Sequence, residues 1–382
     1  MKRFYRHLIP ICLLALSGFQ NAQAGVIEVC KACETTSVKT GISLAMPNDT
    51  VRIQAGIYKE FNILIDKPLT LWGVGYPVID GEKQGEIIRV VSDGVRIRGL
   101  SIINVGISYT TDYAALRIVQ SADFEIVDNR FENLFFGIYL EKSRNGVVRD
   151  NTILGAAKDE YNSGNGIQLW YSRNIEVINN QVEGTRDGIY LEFSDSVRIT
   201  KNTSRNNLRY GLHFMFSNNN VYRDNLFETN GAGVAVMFSK NIQMIGNHFR
   251  KNWGTAAYGM LLKEINDAQI TDNIFEENTV GINIEGSNRI TYKGNQFISN
   301  GWAIKVLGAC YSNSFLGNSF LYNSFDVSYN SNLNDNIFDG NYWSNYSGYD
   351  LDKNGVGDIP HRPVKLFSYI VNRTPETLIL LR

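Results

Sequence analysis

The sequence predicts an all-β chain wound as a right-handed parallel β-helix with a period near 22 residues, and three observations carry that prediction. A tetrad of the form small–apolar–any–apolar recurs nine times. Asparagines recur in phase with it. The composition, with 34 glycines against seven prolines, suits many short strands joined by turns.

The chain opens with Lys2, Arg3 and Arg6, an apolar run "LIPICLLALSGF", and Ala22-Gln23-Ala24. That is the build of a secretory signal peptide over residues 1–24, excluded here from the fold. No cysteine follows the apolar run as a lipid anchor would require, and no later stretch reaches the roughly 18 apolar residues of a membrane span. Removing the leader takes three of 37 basic residues and no acidic one, so the formal charge moves from −1 to −4. Such a balance gives no footing for nucleic acid. The expected divisions are an N-terminal cap over 25–50, the β-helix over 51–343, and a C-terminal cap and tail over 344–382. Within the first, "TTSVKTGISLAM" at 35–46 reads as a short amphipathic helix that covers the bare edge of the first coil.

The tetrads begin at Ala115, Gly137, Gly166, Gly188, Gly211, Gly233, Gly259, Gly281 and Ala303, in steps of 22, 29, 22, 23, 22, 26, 22 and 22 residues. A second column runs from Asn129 through Asn151, Asn180 and Asn202 to Asn318. A third, F-x-x-N, ends at Asn230, Asn252, Asn278, Asn300 and Asn323. One turn of chain cannot bury its own apolar face, so stacked turns make the core. The leucine-rich repeat signature is missing. The longer steps place surface insertions near 158–165 and 253–258.

Successive side chains of a strand point to opposite faces. Ile189/Leu191, Leu212/Phe214 and Val234/Val236 therefore point inward, and Phe216 continues that parity. The residues between point outward: Tyr190/Glu192, His213/Met215, Ala235/Met237. Neighbouring coils lie about 4.8 Å apart, which sets Met237 beside Met215 and His213 beside Ala235. Any one of these residues could simply be groove wall. Three converging on adjacent coils offer imidazole and thioether donors, the soft set that suits Cu(I), held transiently.

Met244 and Met260 share the core parity, and His248 falls on solvated surface. Cys30 and Cys33 are either a second copper clamp or a disulfide of an exported protein. Cys310 reads as a small buried residue. Asp350, Asp352, Asn354 and Asp358, with Gly355 at the sixth place, copy the first part of a Ca²⁺ loop. Position 12 is His361 rather than Glu, and the alternative is a metal-free Asx-turn loop.

A polysaccharide lyase or epimerase, or a glycan-binding β-helix, is the competing class. Glu141 and Glu192 share a face two coils apart, roughly 10 Å by coil spacing, too far for the usual paired-carboxylate glycosidase. His213 beside Glu192 could still act as a base.

"NWGTAAYGMLLKEINDAQI" at 252–270 and "NYWSNYSGYDLDKNGVGDIPHRPVKLF" at 341–367 resemble the NosD family, periplasmic accessory proteins of nitrous-oxide reductase maturation. "AGIYKEFNILIDKPLTLWGVG" resembles the opening coils of the carbohydrate-binding and sugar-hydrolase type of β-helix. The NosD resemblance implies a non-enzymatic protein working with an ABC-type permease and its ATPase. It also implies support for copper-site assembly in nitrous-oxide reductase, beside a copper-donating lipoprotein. No ligand is carried over from the family: His213, Met215 and Met237 rest on coil alignment alone. The tail from Ser368, apolar at "TLILLR", reads as a segment that docks on the transporter.

Overall fold

The structure is a computed structural model describing residues 24–254, 257–331, 335–374 and 377. All but the last residue of the expected leader, and most of the "TLILLR" tail, lie outside those residues. The chain visits three sheets in turn and repeats the circuit. The first sheet has 14 strands, from Val26–Val29 to Ile337–Asp339; the second has 13, from Ile57–Lys59 to Tyr342–Trp343; the third has 12, from Ile63–Ile65 to Phe325–Tyr329. Every paired strand runs parallel, coil upon coil, in the right-handed β-helix the repeat predicted. The third sheet carries the tetrads.

The in-phase asparagines explain the corner between the first and second sheets. Each follows a residue held in the left-handed region, such as Lys201 (φ 58°), Asp224 (φ 53°) and Asp272 (φ 55°). One such residue turns the chain sharply, at some steric cost to any side chain other than glycine's. The ladder offsets that cost. Asn202 Nδ2 donates to Asn225 Oδ1 at 3.0 Å, Asn225 to Asn247 at 2.9 Å, and Asn247 to Asn273 at 3.0 Å. The second Nδ2 hydrogen of each meets a backbone carbonyl. A parallel ladder links Asn252, Asn278, Asn300 and Asn323 at 2.9–3.1 Å. All of these amides but the terminal Asn323 are buried, and each neighbour in the stack satisfies the next. Inside, Phe249, Phe275, Phe297, Phe320 and Trp343 stack with ring centroids 4.0–5.0 Å apart. Met244, Met260 and Cys310 are buried, and His248 is half-buried against Glu276 at 2.9 Å.

At the N-terminal end, helix α1 (Val38–Leu44) covers the first coil with Val38 and Ile42. Ser37 caps it, and the Glu60 carboxylate accepts from the amides of Val38 and Lys39. Gly41 permits the close approach, because a Cβ there would stand 2.6 Å from Val29. Val26–Val29 pairs with Thr50–Ile53, so part of the segment 25–50 is itself a coil edge. Cys30 and Cys33, in the turn after that strand, are joined as a disulfide, which removes both thiolates.

At the other end Trp343 closes the phenylalanine stack, with His361 4.8 Å away on its outer side. Helix α2 (Leu366–Arg373) then folds back along the outside of the third sheet. Val371 is buried against Val280 and Trp302, and Phe367 stacks over Phe325 at 6.1 Å. Among the described residues no helix is long and apolar enough to cross a membrane.

Candidate functional site

The strand Tyr210–Met215 lies between Asp187–Glu192 and Ala232–Met237 in the third sheet. Its register is the one the repeat predicted: His213 opposite Tyr190 and Ala235, Met215 opposite Glu192 and Met237. Leu212 and Phe214 are fully buried in the core. The inward parity does not extend to Phe216. That residue adopts φ 49°, ends the strand, and is 40% exposed. Alternation holds only while the backbone stays extended.

His213 leaves the core side but does not reach open solvent, being only 5% exposed. A charged clamp holds it. Arg209 Nε and Nη2 donate to the two oxygens of Asp187 at 3.0 and 2.8 Å, and Asp187 itself is fully buried. His213 Nδ1 lies 3.4 Å from Asp187 Oδ2 and 3.2 Å from Arg209 Nη2. The rings of Tyr190 and Tyr210 close around the imidazole at 4.9 and 4.8 Å. His213 Nε2 is buried with no hydrogen-bond partner, an expensive state for a polar nitrogen. Met215 and Met237 are half-buried at the rim.

Electrostatics fix the protonation of the clamp. Burial works to raise the Asp187 carboxyl, but the hydrogen bond with His213 and the charge of Arg209 overcome it, so the group sits below the usual carboxylate range. Burial works to lower the Arg209 guanidinium, and the Asp187 charge holds it above its ordinary value. Burial, followed by the charge of Glu192, pushes the Tyr190 phenol up to about 12. Burial raises Tyr210 likewise, with Glu160 on the 158–165 insertion among the charges acting on it. Both phenols stay neutral donors at physiological pH.

Asp187 and Arg209 were not among the sequence-derived candidates. Alternation counted back from Leu191 and Ile189 sets Asp187 on the inward parity, and Arg209 stands two places before Gly211, so the repeat did not single out either residue. The remaining candidates lie elsewhere. Cys30–Cys33 sits at the N-terminal end of the stack, far along the chain of coils from His213. In the 350–358 loop, Asp350 accepts from the amides of Asn354 and Gly355, Asn354 donates to Asp352 at 2.8 Å, and Asp358 accepts from Leu351 N at 2.7 Å. The loop amides, led by Gly355, hold Asp350 below its ordinary pKa. Glu141 and Glu192 are separated in register by Trp170, and Glu141 is engaged by Arg117 at 3.2 Å. Among the described residues no three His, Cys, Asp or Glu side chains gather as a metal-binding group.

The family described as "Periplasmic copper-binding protein (NosD)" matches residues 154–348, and one described as "Right handed beta helix region" matches residues 79–182. A Pseudomonas aeruginosa protein named "Probable ABC transporter binding protein NosD" is 28% identical over 392 residues, covering 97% of this chain and 88% of its own length. A protein of the same name from Stutzerimonas stutzeri is 29% identical over 350 residues, covering 86% and 79%. Among solved structures, the Streptococcus pneumoniae surface adhesin PfbA aligns with TM-score 0.61 at 13% identity, over 77% of this chain and 88% of that one. The catalytic unit of a GH87 α-1,3-glucanase from Streptomyces thermodiastaticus aligns with TM-score 0.63 at 14% identity, over 78% and 64%. At such identities these two share the fold alone.

Proposed function

The chain belongs to the NosD family of periplasmic copper-binding proteins, and from that premise we propose that it is the non-enzymatic periplasmic component of an ABC-type transporter, carrying Cu(I) toward copper-site assembly in nitrous-oxide reductase. Its partners in this reading are the permease and ATPase of the transporter, the reductase, and a copper-donating lipoprotein. Cu(I) is cargo rather than a resident cofactor. The residues proposed to hold it are His213, Met215 and Met237.

One observation supports copper at this place above the others. A buried imidazole nitrogen, His213 Nε2, has no hydrogen-bond partner, and the mutually paired Met215 and Met237 lie two residues further along the same two strands. The reading requires the tautomer in which Nδ1–H donates to Asp187, leaving the Nε2 lone pair for the metal. A carboxylate behind the ligating ring fixes tautomer and orientation in that way. Imidazole and thioether donors favour Cu(I) over harder ions. Met215 and Met237, at the half-buried rim, are the donors that cargo would meet first.

A Cu(I) competition titration against a chromogenic chelator tests this. The wild type is expected to take copper from the chelator, and the His213→Ala/Met215→Leu/Met237→Leu variant to lose that ability. Asp187→Asn keeps all three donors and is expected to weaken binding about 10-fold. Unchanged affinity in the triple variant removes the site.

A further inference from the structure

The first strand of the stack, Val26–Val29, runs straight into a turn carrying Cys30, Lys31, Ala32 and Cys33 before the chain enters α1. The copper reading makes no use of this turn. Among the described residues it is the one place where two sulfurs are already bonded and can change oxidation state together. Cys310 is free and buried in the core. Cys30 and Cys33, by contrast, are only half-buried, and Lys31, Ala32 and Glu34 beside them are exposed. An incoming thiol can therefore reach the bond.

The turn does not need the disulfide for its shape. Cys33 N–H donates to the Cys30 carbonyl at 3.2 Å, and Cys30 N–H to the Thr35 carbonyl at 3.1 Å. Val29 forms a parallel bridge with Thr35, and its carbonyl accepts from the Gln54 amide at 2.9 Å and the Tyr58 hydroxyl at 3.2 Å. Val29, Thr35 and Val38 are buried on either side of the turn and anchor it. As a staple the bond does little, because its ends are three residues apart and the gain from closing a loop grows with loop length. What the frame does is keep two sulfurs together, so that reduction leaves the thiols side by side and able to close again. Lys31, between them, supplies the positive charge that favours a thiolate, and Glu34, next after Cys33, works against it.

We propose that Cys30 and Cys33 form a thiol–disulfide exchange site whose substrate is the dithiol of a protein partner. The inference stands apart from the copper reading of His213, Met215 and Met237. A substrate thiolate attacks one sulfur of the pair; the S–S bond breaks and the other cysteine leaves as a thiolate. The substrate's second thiolate then attacks its own sulfur in the mixed disulfide, closing the substrate's disulfide and releasing the remaining cysteine. Two electrons and two protons pass from substrate to chain, and turnover requires a protein disulfide that reoxidises the pair. A protein is the substrate rather than a small thiol for two reasons. The family is periplasmic, and that compartment is poised by protein disulfides instead of a small-thiol buffer. The terminal layer that carries the pair also leaves Val26, Leu44, Met46 and Ile57 56–70% exposed, apolar surface of the kind a protein contact covers.

The test uses reduced thioredoxin as the protein dithiol. The oxidised full mature chain is mixed with it anaerobically, labelled with a maleimide under native conditions and read by mass spectrometry. Two labels are expected, at Cys30 and Cys33, with Cys310 unlabelled and the circular dichroism unchanged. At equal thiolate concentration glutathione is expected to react roughly 10-fold more slowly. Thioredoxin lacking its resolving cysteine is expected to stay joined to the wild type as a mixed disulfide, and to form none with Cys30→Ser/Cys33→Ser. Lys31→Glu is expected to slow exchange several-fold with the melting temperature unmoved, because the leaving thiolate loses its cation; a bond that served only as a staple shows no such split. A disulfide that reacts only after urea has unfolded the chain overturns the proposal. A reduced wild type that melts far below the oxidised one makes the bond a staple and overturns it equally. Reduction by glutathione as fast as by thioredoxin refutes the protein substrate.

Discussion

Replacing Asn247 by Ala tests the account of how the coils are held together. Asn247 is fully buried and makes four side-chain hydrogen bonds. It donates to Tyr222 O and Asn273 Oδ1, both at 3.0 Å, and accepts from the Asn225 amide at 3.0 Å and Asn225 Nδ2 at 2.9 Å. Alanine leaves two donors on Asn225 unsatisfied in the interior, while Asn273 Oδ1 keeps the Asn247 backbone amide at 2.9 Å. At roughly 1–3 kcal/mol for each orphaned buried group, the substitution should cost about 2–6 kcal/mol. Asn129, at the start of the ladder, gives an internal comparison. Its Oδ1 accepts from the Leu100 amide at 3.1 Å, so Asn129→Ala orphans one donor and should cost about half as much. Neither position is itself left-handed, so backbone strain does not confound the pair. Urea unfolding read with hydrogen exchange is the appropriate assay, because stacked repeats open locally as well as globally. Protection should fall at the coils carrying Asn225 and Asn273 before it falls elsewhere. An Asn129→Ala cost equal to or above that of Asn247→Ala would falsify the ladder reasoning.

Two further outcomes follow from the charges. The Asp187 carboxyl is held below its unfolded pKa, so its contribution to stability is complete above that value and disappears as pH falls through the folded one. Asp187→Asn should therefore destabilise the chain by about 2–4 kcal/mol at pH 7, and the gap from wild type should begin to narrow only as pH falls below 3.8; a gap that shows no narrowing as the carboxyl is protonated refutes the clamp. If the 350–358 loop takes Ca²⁺, millimolar calcium should raise the melting temperature of the wild type by several degrees and leave Asp350→Asn/Asp352→Asn unmoved, whereas no shift in the wild type removes the site.

A period of 22 was enough to fix which residues lie side by side. Met215 and Met237 are neighbours because the distance between coils is set by backbone hydrogen bonds, whatever the side chains. The same rule placed His213 opposite Ala235 and stacked the asparagines, and so the architecture was legible before any coordinates. Parity failed at Phe216 for a definite reason. It counts extended residues, and a single left-handed turn residue breaks the count, turning an expected core ring into a surface one.

What the sequence by itself determined was therefore everything that translates from coil to coil: the fold, the register, the buried columns and the pairing of the two methionines. The tertiary structure alone decided what happens across the outer face, where no repeat operates. It set Arg209 and Asp187 around His213, left Nε2 without a partner, and folded α2 back against Val280 and Trp302. Those contacts depend on side-chain direction and on chain ends, and periodicity carries information about neither.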